Sequence, residues 1–267
     1  MSVYDDVIAK TENLAKVKKV VVSLSGGLDS TTLLYLMVKK FGKENVYAVS
    51  FQYQQRHDIE LIQAQKTTKK LGVVHKILDI SFLGEVAKGV SSMVKGQVAT
   101  PTMDDVLGEP QPSTYMPNRN MVLASITAAF AESVGAEGVA LGIQKIDSYS
   151  YWDTTPEFYQ AIQAVLLLNR KHQIQFIAPF ITLSKVDEIA LGNELGVDYG
   201  ETFTCYNPQI DKEETIYVDE PMGGKNSKVR KHFQPCGICP SCFERAQSFK
   251  KVGLVDPIVR DGVWDSN

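Results

Sequence analysis

The chain reads as an α/β protein: a five-stranded, mostly parallel sheet with helices on both faces, plus a small thiol-rich lobe at the C-terminal end. Two observations predict the main body. Apolar runs of strand length alternate with segments of helical periodicity, and a diglycine bend joins the first run to the first helix. A third observation predicts the lobe, because three of the four cysteines fall between Cys236 and Cys242.

The first strand is the apolar run over 20–24, and the helix after it is carried by 31–37. Residues 45–51 form a second strand, buried on both sides. Over 58–71, Ile59, Leu61, Ile62, Ala64 and Leu71 keep helical spacing, and 73–80 is a third strand. From 81 to 112 the pattern weakens, with Gly84, Gly89, Gly96, Pro101 and Pro110 scattered through it. A stretch that long is a lid, a binding loop or partly helical. Residues 119–134 form an Ala-rich helix closed by Gly135. A fourth strand over 137–143, a helix over 156–168 with Pro in its first turn, and a fifth strand over 174–180 follow. Ser184 caps a last helix, 184–195, which Gly196 closes. The body spans 1–200 and the lobe 201–267, with a surface excursion inserted at about 208–234.

Composition narrows the function classes. The 267 residues are 44% hydrophobic and 22% charged, with a net charge of −3. That balance argues against bulk binding to a nucleic-acid backbone and favours small-molecule substrates. The chain lacks the basic-then-apolar order of a signal peptide, and its apolar runs fall short of the roughly 20 residues a membrane span needs. A cytoplasmic, membrane-free location is expected.

The densest chemistry lies in Ser25-Gly26-Gly27-Leu28-Asp29-Ser30. A strand that turns through two glycines into a helix presents free backbone N–H groups, backed by the positive end of the helix dipole. Glycine lets the main chain approach a polyanion, and the serines add hydroxyl donors. The arrangement is a phosphate cradle of a kind other than the Walker loop, which needs a Lys before its Ser/Thr.

Cys205, Cys236, Cys239 and Cys242 supply four thiols, enough for a closed tetrahedral Zn²⁺ site. The triple spacing also occurs in iron–sulfur proteins, where a further Cys-Pro normally follows. Phe243-Glu244-Arg245-Ala246 follows here, so structural zinc is expected. Lys225, Lys228, Arg230, Lys231 and His232 lie just before the cluster. Asp211, Glu213, Glu214, Asp219 and Glu220 precede them, so the excursion reads as a solvated insertion rather than a nucleic-acid module.

The hexapeptide resembles the SGGxDS loop of the ATP pyrophosphatases, and the chain from about 19 to 257 resembles the 7-cyano-7-deazaguanine synthases among them. Tyr53-Gln54-Gln55-Arg56-His57 with Glu60, Leu61 and Ala64 resembles the family's YGQRH, EL and A. Tyr115-Met116-Pro117-Asn118-Arg119-Asn120 resembles its Y-x-P-x-R-N. Gly142, Asp147, Tyr151, Asp153 and Phe158 keep the spacing of a further segment, and Ala178-Pro179-Phe180 with Lys185 resembles its AP…K. Thr202-Phe203-Thr204-Cys205-Tyr206, the Cys236 cluster, Arg245, Phe249, Gly253 and Asp256-Pro257 resemble its C-terminal pattern.

The resemblance implies an adenine nucleotide alpha hydrolase-like fold and an ATP-dependent carbon–nitrogen ligase. Its substrates would be 7-carboxy-7-deazaguanine, ammonia and ATP with Mg²⁺. The path would run through an acyl-adenylate and an amide to the nitrile, feeding queuosine or deazaguanine DNA modification. It implies ATP contacts at Leu24, Ser25, Gly26, Gly27, Leu28, Asp29, Ser30, Thr31 and Thr32, with the Asp29 carboxylate near Mg²⁺. Tyr115, Asn118, Arg119, Asn120, Asp147, Tyr151 and Asp153 would meet the substrate, Asp147 or Asp153 taking the base edge. Lys185 and Arg119 are the cations that would offset charge on phosphate oxygens, and His57 is the candidate base. A homodimer is implied by analogy, without direct nucleic-acid contact.

The sequence departs from the family pattern in three places. Gln54 replaces a glycine; Ser150, Trp152, Thr154 and Thr155 stand where Gly, Pro, Cys and Arg are usual; and Cys205 and Cys236 are unusually far apart. The second change exchanges a fixed cation for a stacking surface. Two further readings therefore accompany the first: a synthase that stops at the amide, and a defence-associated relative that links a deazapurine to a protein partner.

Overall fold

The structure, a computed structural model, describes residues 2–56, 59–96, 98–109, 111–144, 151–219 and 225–259. Five strands form a single parallel sheet: β1 (Val20–Ser23), β2 (Val46–Gln52), β3 (Val74–Asp79), β4 (Gly138–Ala140) and β5 (Gln175–Ile177). They lie in the order β3-β2-β1-β4-β5, with Val20 in register with Val46 on one side and Gly138 on the other. Helices α1 (Val3–Lys10), α2 (Leu28–Phe41), α3 (Ile59–Leu71), α4 (Ser81–Ala87), α5 (Arg119–Val134), α6 (Pro156–Leu166), α7 (Lys185–Leu195) and α8 (Pro240–Val252) accompany them.

The alternation of side chains along a strand explains the three-layer build. Val20, Val21 and Val22 are all fully buried. Val21 belongs to the apolar cluster that holds Ala124 and Ala128 of α5 and Phe158 of α6, whereas Val20 and Val22 belong to the one that holds Leu33, Leu34 and Met37 of α2 with Leu191 of α7. A strand buried on both faces needs an unbroken apolar run, and this one has it.

Helix ends follow local chemistry. Thr155 accepts the Phe158 amide at 3.2 Å ahead of Pro156, and Ser184 and Asp187 form a reciprocal capping box on α7. The two short strands β4 and β5 occupy the N-terminal halves of the expected runs over 137–143 and 174–180. After β4, Leu141, Gly142 and Ile143 leave the sheet and border a cavity instead. The 81–112 stretch opens with α4 and is tied to the exit of β2 by Arg56, whose Nε donates to the Ser92 carbonyl at 2.6 Å.

The 208–234 excursion is an antiparallel hairpin, β6 (Gln209–Asp219) with β7 (Lys225–Gln234), irregular between Ile210 and Lys212. Among the described residues, no helix is long and apolar enough to cross a membrane. His57 and Asp147 lie outside the described residues.

Candidate active site and thiol centre

β1 is flanked by β2 on one side and β4 on the other, so the sheet's winding reverses there. In open parallel sheets a crevice forms at the carboxyl ends of such strands. Here the loops after β1 and β4 border that crevice. Gly142 permits their approach, since a Cβ on it would lie 3.2 Å from the Asp29 carbonyl carbon.

Ser25 to Ser30 wraps around the Ser30 hydroxyl, which accepts the amides of Ser25 (3.0 Å) and Gly26 (3.3 Å), while Ser25 Oγ accepts the Gly27 amide at 3.1 Å. These serines shape the loop from within. The first turn of α2 begins at Leu28, and no side chain caps it. A 14-residue helix thus points its positive end into the crevice. Gly26 has φ of +94°, and a Cβ there would sit 2.0 Å from the Glu60 carbonyl oxygen. Only glycine satisfies both constraints.

Two adjoining cavities of ≈ 220 and ≈ 150 Å³ share Leu28, Asp29, Arg119, Gly142, Thr204 and Ser241 among their walls. Of the residues expected to meet ATP, Leu24, Ser25, Gly27, Leu28, Asp29 and Ser30 line the larger cavity. Gly26, Thr31 and Thr32 lie behind them. Thr32 bonds the Tyr199 hydroxyl at 3.1 Å, and Thr31 Oγ1 is buried without a hydrogen-bond partner among the described residues.

Lys185, the first residue of α7, carries its ammonium onto Asp29 and, at 3.2 Å, onto Glu188 Oε2. Burial would lower its pKa, but Asp29, then Glu188 and Glu244, more than offset that and hold it well above the usual lysine range. Burial, followed by the charge of Asp29, pushes Glu188 upward. Arg119, at the start of α5, lies near Tyr53, Tyr151, Tyr206 and Asp153. Glu60 faces the same space, its carboxyl pushed up to about 7 by burial, with Arg119 pulling it down and Asp29 up.

Arg119, Asn120 and Tyr151 line the smaller cavity. Asp153 is 2% exposed and accepts the Asn120 amide at 3.0 Å, so it caps the first turn of α5. Tyr115 and Asn118 do not border either cavity. The Tyr115 hydroxyl accepts the Asn118 amide at 3.1 Å and Trp152 Nε1 at 2.7 Å, which fixes the left-handed Asn118 ahead of Arg119. Gln54 also adopts a left-handed backbone, φ +62°, where the resemblance places glycine.

The sequence reading missed Glu60, Glu188, Glu244, Thr204, Tyr206 and Ser241 as members of this region. Lys185 and Glu188 stand three apart on a helix, which alone puts them on one face. Ser241 sits between two cysteines whose spacing had a use of its own.

The four cysteine sulfurs lie within 4.8 Å of one another. A tetrahedron with metal–sulfur bonds of about 2.3 Å needs sulfurs about 3.8 Å apart. The amides of Asn207 (3.3 Å) and Cys236 (3.2 Å) point at Cys205 Sγ, as hydrogen bonds that favour a thiolate do. The donor set fits a metal ion.

Comparison with known proteins settles the family. The family model described as queuosine biosynthesis protein QueC matches residues 19–253. The chain belongs to the QueC family. It is an enzyme of that family, and its curated QueC relatives span nearly the same length. A 7-cyano-7-deazaguanine synthase of Caldicellulosiruptor bescii is 39% identical over 90% of this chain and 96% of its own. Another from Oceanobacillus iheyensis is 37% identical over 90% and 97%. Among solved structures, the U34-tRNA thiolase NcsA from Methanococcus maripaludis, with its [4Fe-4S] cluster, is 17% identical with a TM-score of 0.46, covering 76% of this chain and 67% of its own.

Proposed function

We propose that this chain is a 7-cyano-7-deazaguanine synthase that spends two ATP molecules per nitrile. The observation that carries the reading is the meeting of the Ser25–Ser30 cradle, Asp29, Lys185 and Arg119 around one crevice. A carboxylate oxygen of 7-carboxy-7-deazaguanine attacks the α-phosphorus of ATP, and pyrophosphate leaves into the cradle. Ammonia then displaces AMP and loses a proton, giving the amide. The amide oxygen attacks a second ATP, releasing pyrophosphate, and departure of AMP with loss of both remaining N–H protons leaves the nitrile.

The chain's residues account for what both adenylations share. The open helix end and the cations Lys185 and Arg119 face oxygens that gain charge as the P–O bond breaks. Asp29, 37% exposed, is the carboxylate reachable by the Mg²⁺ that travels with ATP. Tyr151, Arg119 and Asn120 line the cavity that would take the acceptor, and apolar Phe51, Met93 and Leu123 border the other. The four thiols would hold zinc in a closed structural site, because no coordination position is left for water.

Incubation with ATP, Mg²⁺, ammonia and the carboxylic acid, with products identified by mass, tests the reading. Nitrile with two AMP per turnover is expected; accumulated amide would mark a synthase that stops halfway, and absence of AMP would refute both. Replacing Asp29 by Ala is expected to abolish AMP formation with the melting temperature unchanged within a few degrees, as Asp29 is partly exposed and Lys185 keeps its pairing with Glu188.

A further inference from the structure

Lys185 is held by two carboxylates of very different access. Asp29 is 37% exposed and faces the crevice, whereas Glu188 is fully buried. Glu188 follows Lys185 by one helical turn on α7, and its Oε2 accepts the ammonium at 3.2 Å. Its other oxygen, Oε1, finds no hydrogen-bond donor among the described residues. A buried carboxylate oxygen without a donor is destabilising, so packing alone does not account for a glutamate at this position. The backbone beneath it is also fixed. The Tyr199 hydroxyl donates to the Glu188 carbonyl at 3.3 Å and bonds Thr32 of α2 at 3.1 Å.

We propose that Glu188 is the positioning residue for Lys185: it keeps the ammonium over the phosphate cradle when Asp29 turns to the cation that accompanies the nucleotide. The inference deepens the synthase reading and rests on its assignment of the loop and of Lys185. Asp29 is the exchangeable partner, because a ligand cation can reach it. Glu188 is the permanent one, because solvent and ligand cannot. Drawing Asp29 away would otherwise leave a long, unpaired lysine beside an incoming polyanion, free to swing with it. With Glu188 in place, the ammonium meets the phosphate from a fixed point, as preorganised charge requires. Glu188 itself touches no ligand and acts through Lys185. Burial, and after it the charge of Asp29, pushes the Glu188 carboxyl upward, and a cation bound at Asp29 would remove the second of these causes. The groups facing the ammonium are Asp29 from α2, Glu188 from its own helix and Glu244 from α8.

Two measurements on the full-length protein test the proposal. The first uses trace acetic anhydride labelling of Lys185, read by mass spectrometry, and needs no turnover. In Asp29→Asn, Lys185 should stay nearly as unreactive as in the wild type; in Asp29→Asn with Glu188→Gln its labelling should rise about tenfold or more, the size of effect expected for coupled neighbours. Full labelling in Asp29→Asn alone would overturn the proposal. The second is a double-mutant cycle on AMP formation. Glu188→Gln should lower kcat about tenfold or more with Mg·ATP affinity changed less than about threefold, and should cost nothing further in a Lys185→Ala background. Independent, multiplicative losses would show that Glu188 acts other than through Lys185. Melting curves accompany each variant. If Glu188→Gln does not fold, Glu188→Asp carries both tests, with smaller effects in the same directions. No AMP from the wild type would sink the synthase reading alone, and the labelling would still decide the role of Glu188.

Discussion

The backbone amide of Phe203 donates to the carbonyl of Gly26 at 3.1 Å, which ties the chain entering the thiol centre to the middle of the Ser25–Ser30 loop. The tie is short in structure as well as distance. Cys205 lies two residues after Phe203. Arg245 lies three after Cys242 and grips Asp256 (2.7 and 2.9 Å), Thr202 (2.8 Å) and the Tyr199 carbonyl (2.9 Å). This guanidinium is almost wholly buried, so the segment before Phe203 is held from the helix that carries Cys242.

Metal occupancy and nucleotide affinity are therefore expected to be linked. Removing the metal from the intact chain with a chelator should weaken Mg·ATP binding by calorimetry about tenfold, within the usual range of coupling energies. By reciprocity, ATP should slow metal loss by a similar factor. Equal ATP affinity with and without metal would show that the tie transmits nothing.

Gly26→Ala is expected to be more damaging than a loop substitution usually is. The added Cβ meets the Glu60 carbonyl at 2.0 Å in a backbone conformation that disfavours side chains, so α3 or the loop must move. Loss of ATP binding with at least about 2 kcal/mol of lost stability is expected, measured by calorimetry and denaturant titration. Gly135→Ala serves as the control: it also has positive φ, but no neighbour lies within 4 Å of the new Cβ.

Glu60 should give the protein a stability that declines toward neutral pH. Its ordinary value is 4.5 and its folded value about 7, so folding takes up a proton between these limits. The contribution is fully present below 4.5 and is lost as pH rises to about 7. Glu60→Gln should match the wild type in melting temperature at pH 4.5 and exceed it at pH 8. A constant difference across that range would contradict the assignment.

Gln54 holds a left-handed backbone at a position where glycine would carry no such penalty. Gln54→Gly is expected to be neutral or stabilising by up to about 1 kcal/mol, the relief of left-handed strain set against the greater freedom of the unfolded chain. Denaturant titration measures it. A loss above about 1 kcal/mol would mean that the Gln54 side chain supports the fold in its own right.

Strands β1, β2, β4 and β5 were legible because they are buried almost throughout, and Val20-Val21-Val22 shows that as plain sequence; β3, at the sheet edge, was legible from its apolar run although none of its residues is fully buried. The loop was legible because Gly26, Asp29 and Ser30 each serve a local need. α8 was not: its apolar positions are few, and Cys242, Arg245 and Ser248 are among its buried residues. The hairpin over 208–234 was read as a surface excursion without internal form, since its charged strands pair with each other and carry no core pattern. Lys185 was legible as a cation near the site. Glu188 was not, because a glutamate one turn away on a helix looks like any surface pair until its complete burial is known.

The central claim is that a substrate carboxylate oxygen is adenylated at this cradle. Turnover of carboxyl-¹⁸O-labelled 7-carboxy-7-deazaguanine with unlabelled ATP, followed by mass analysis of AMP and pyrophosphate, tests it most directly. Both AMP molecules released per nitrile should carry one heavy oxygen and pyrophosphate none; unlabelled AMP, or heavy oxygen in pyrophosphate, would contradict it.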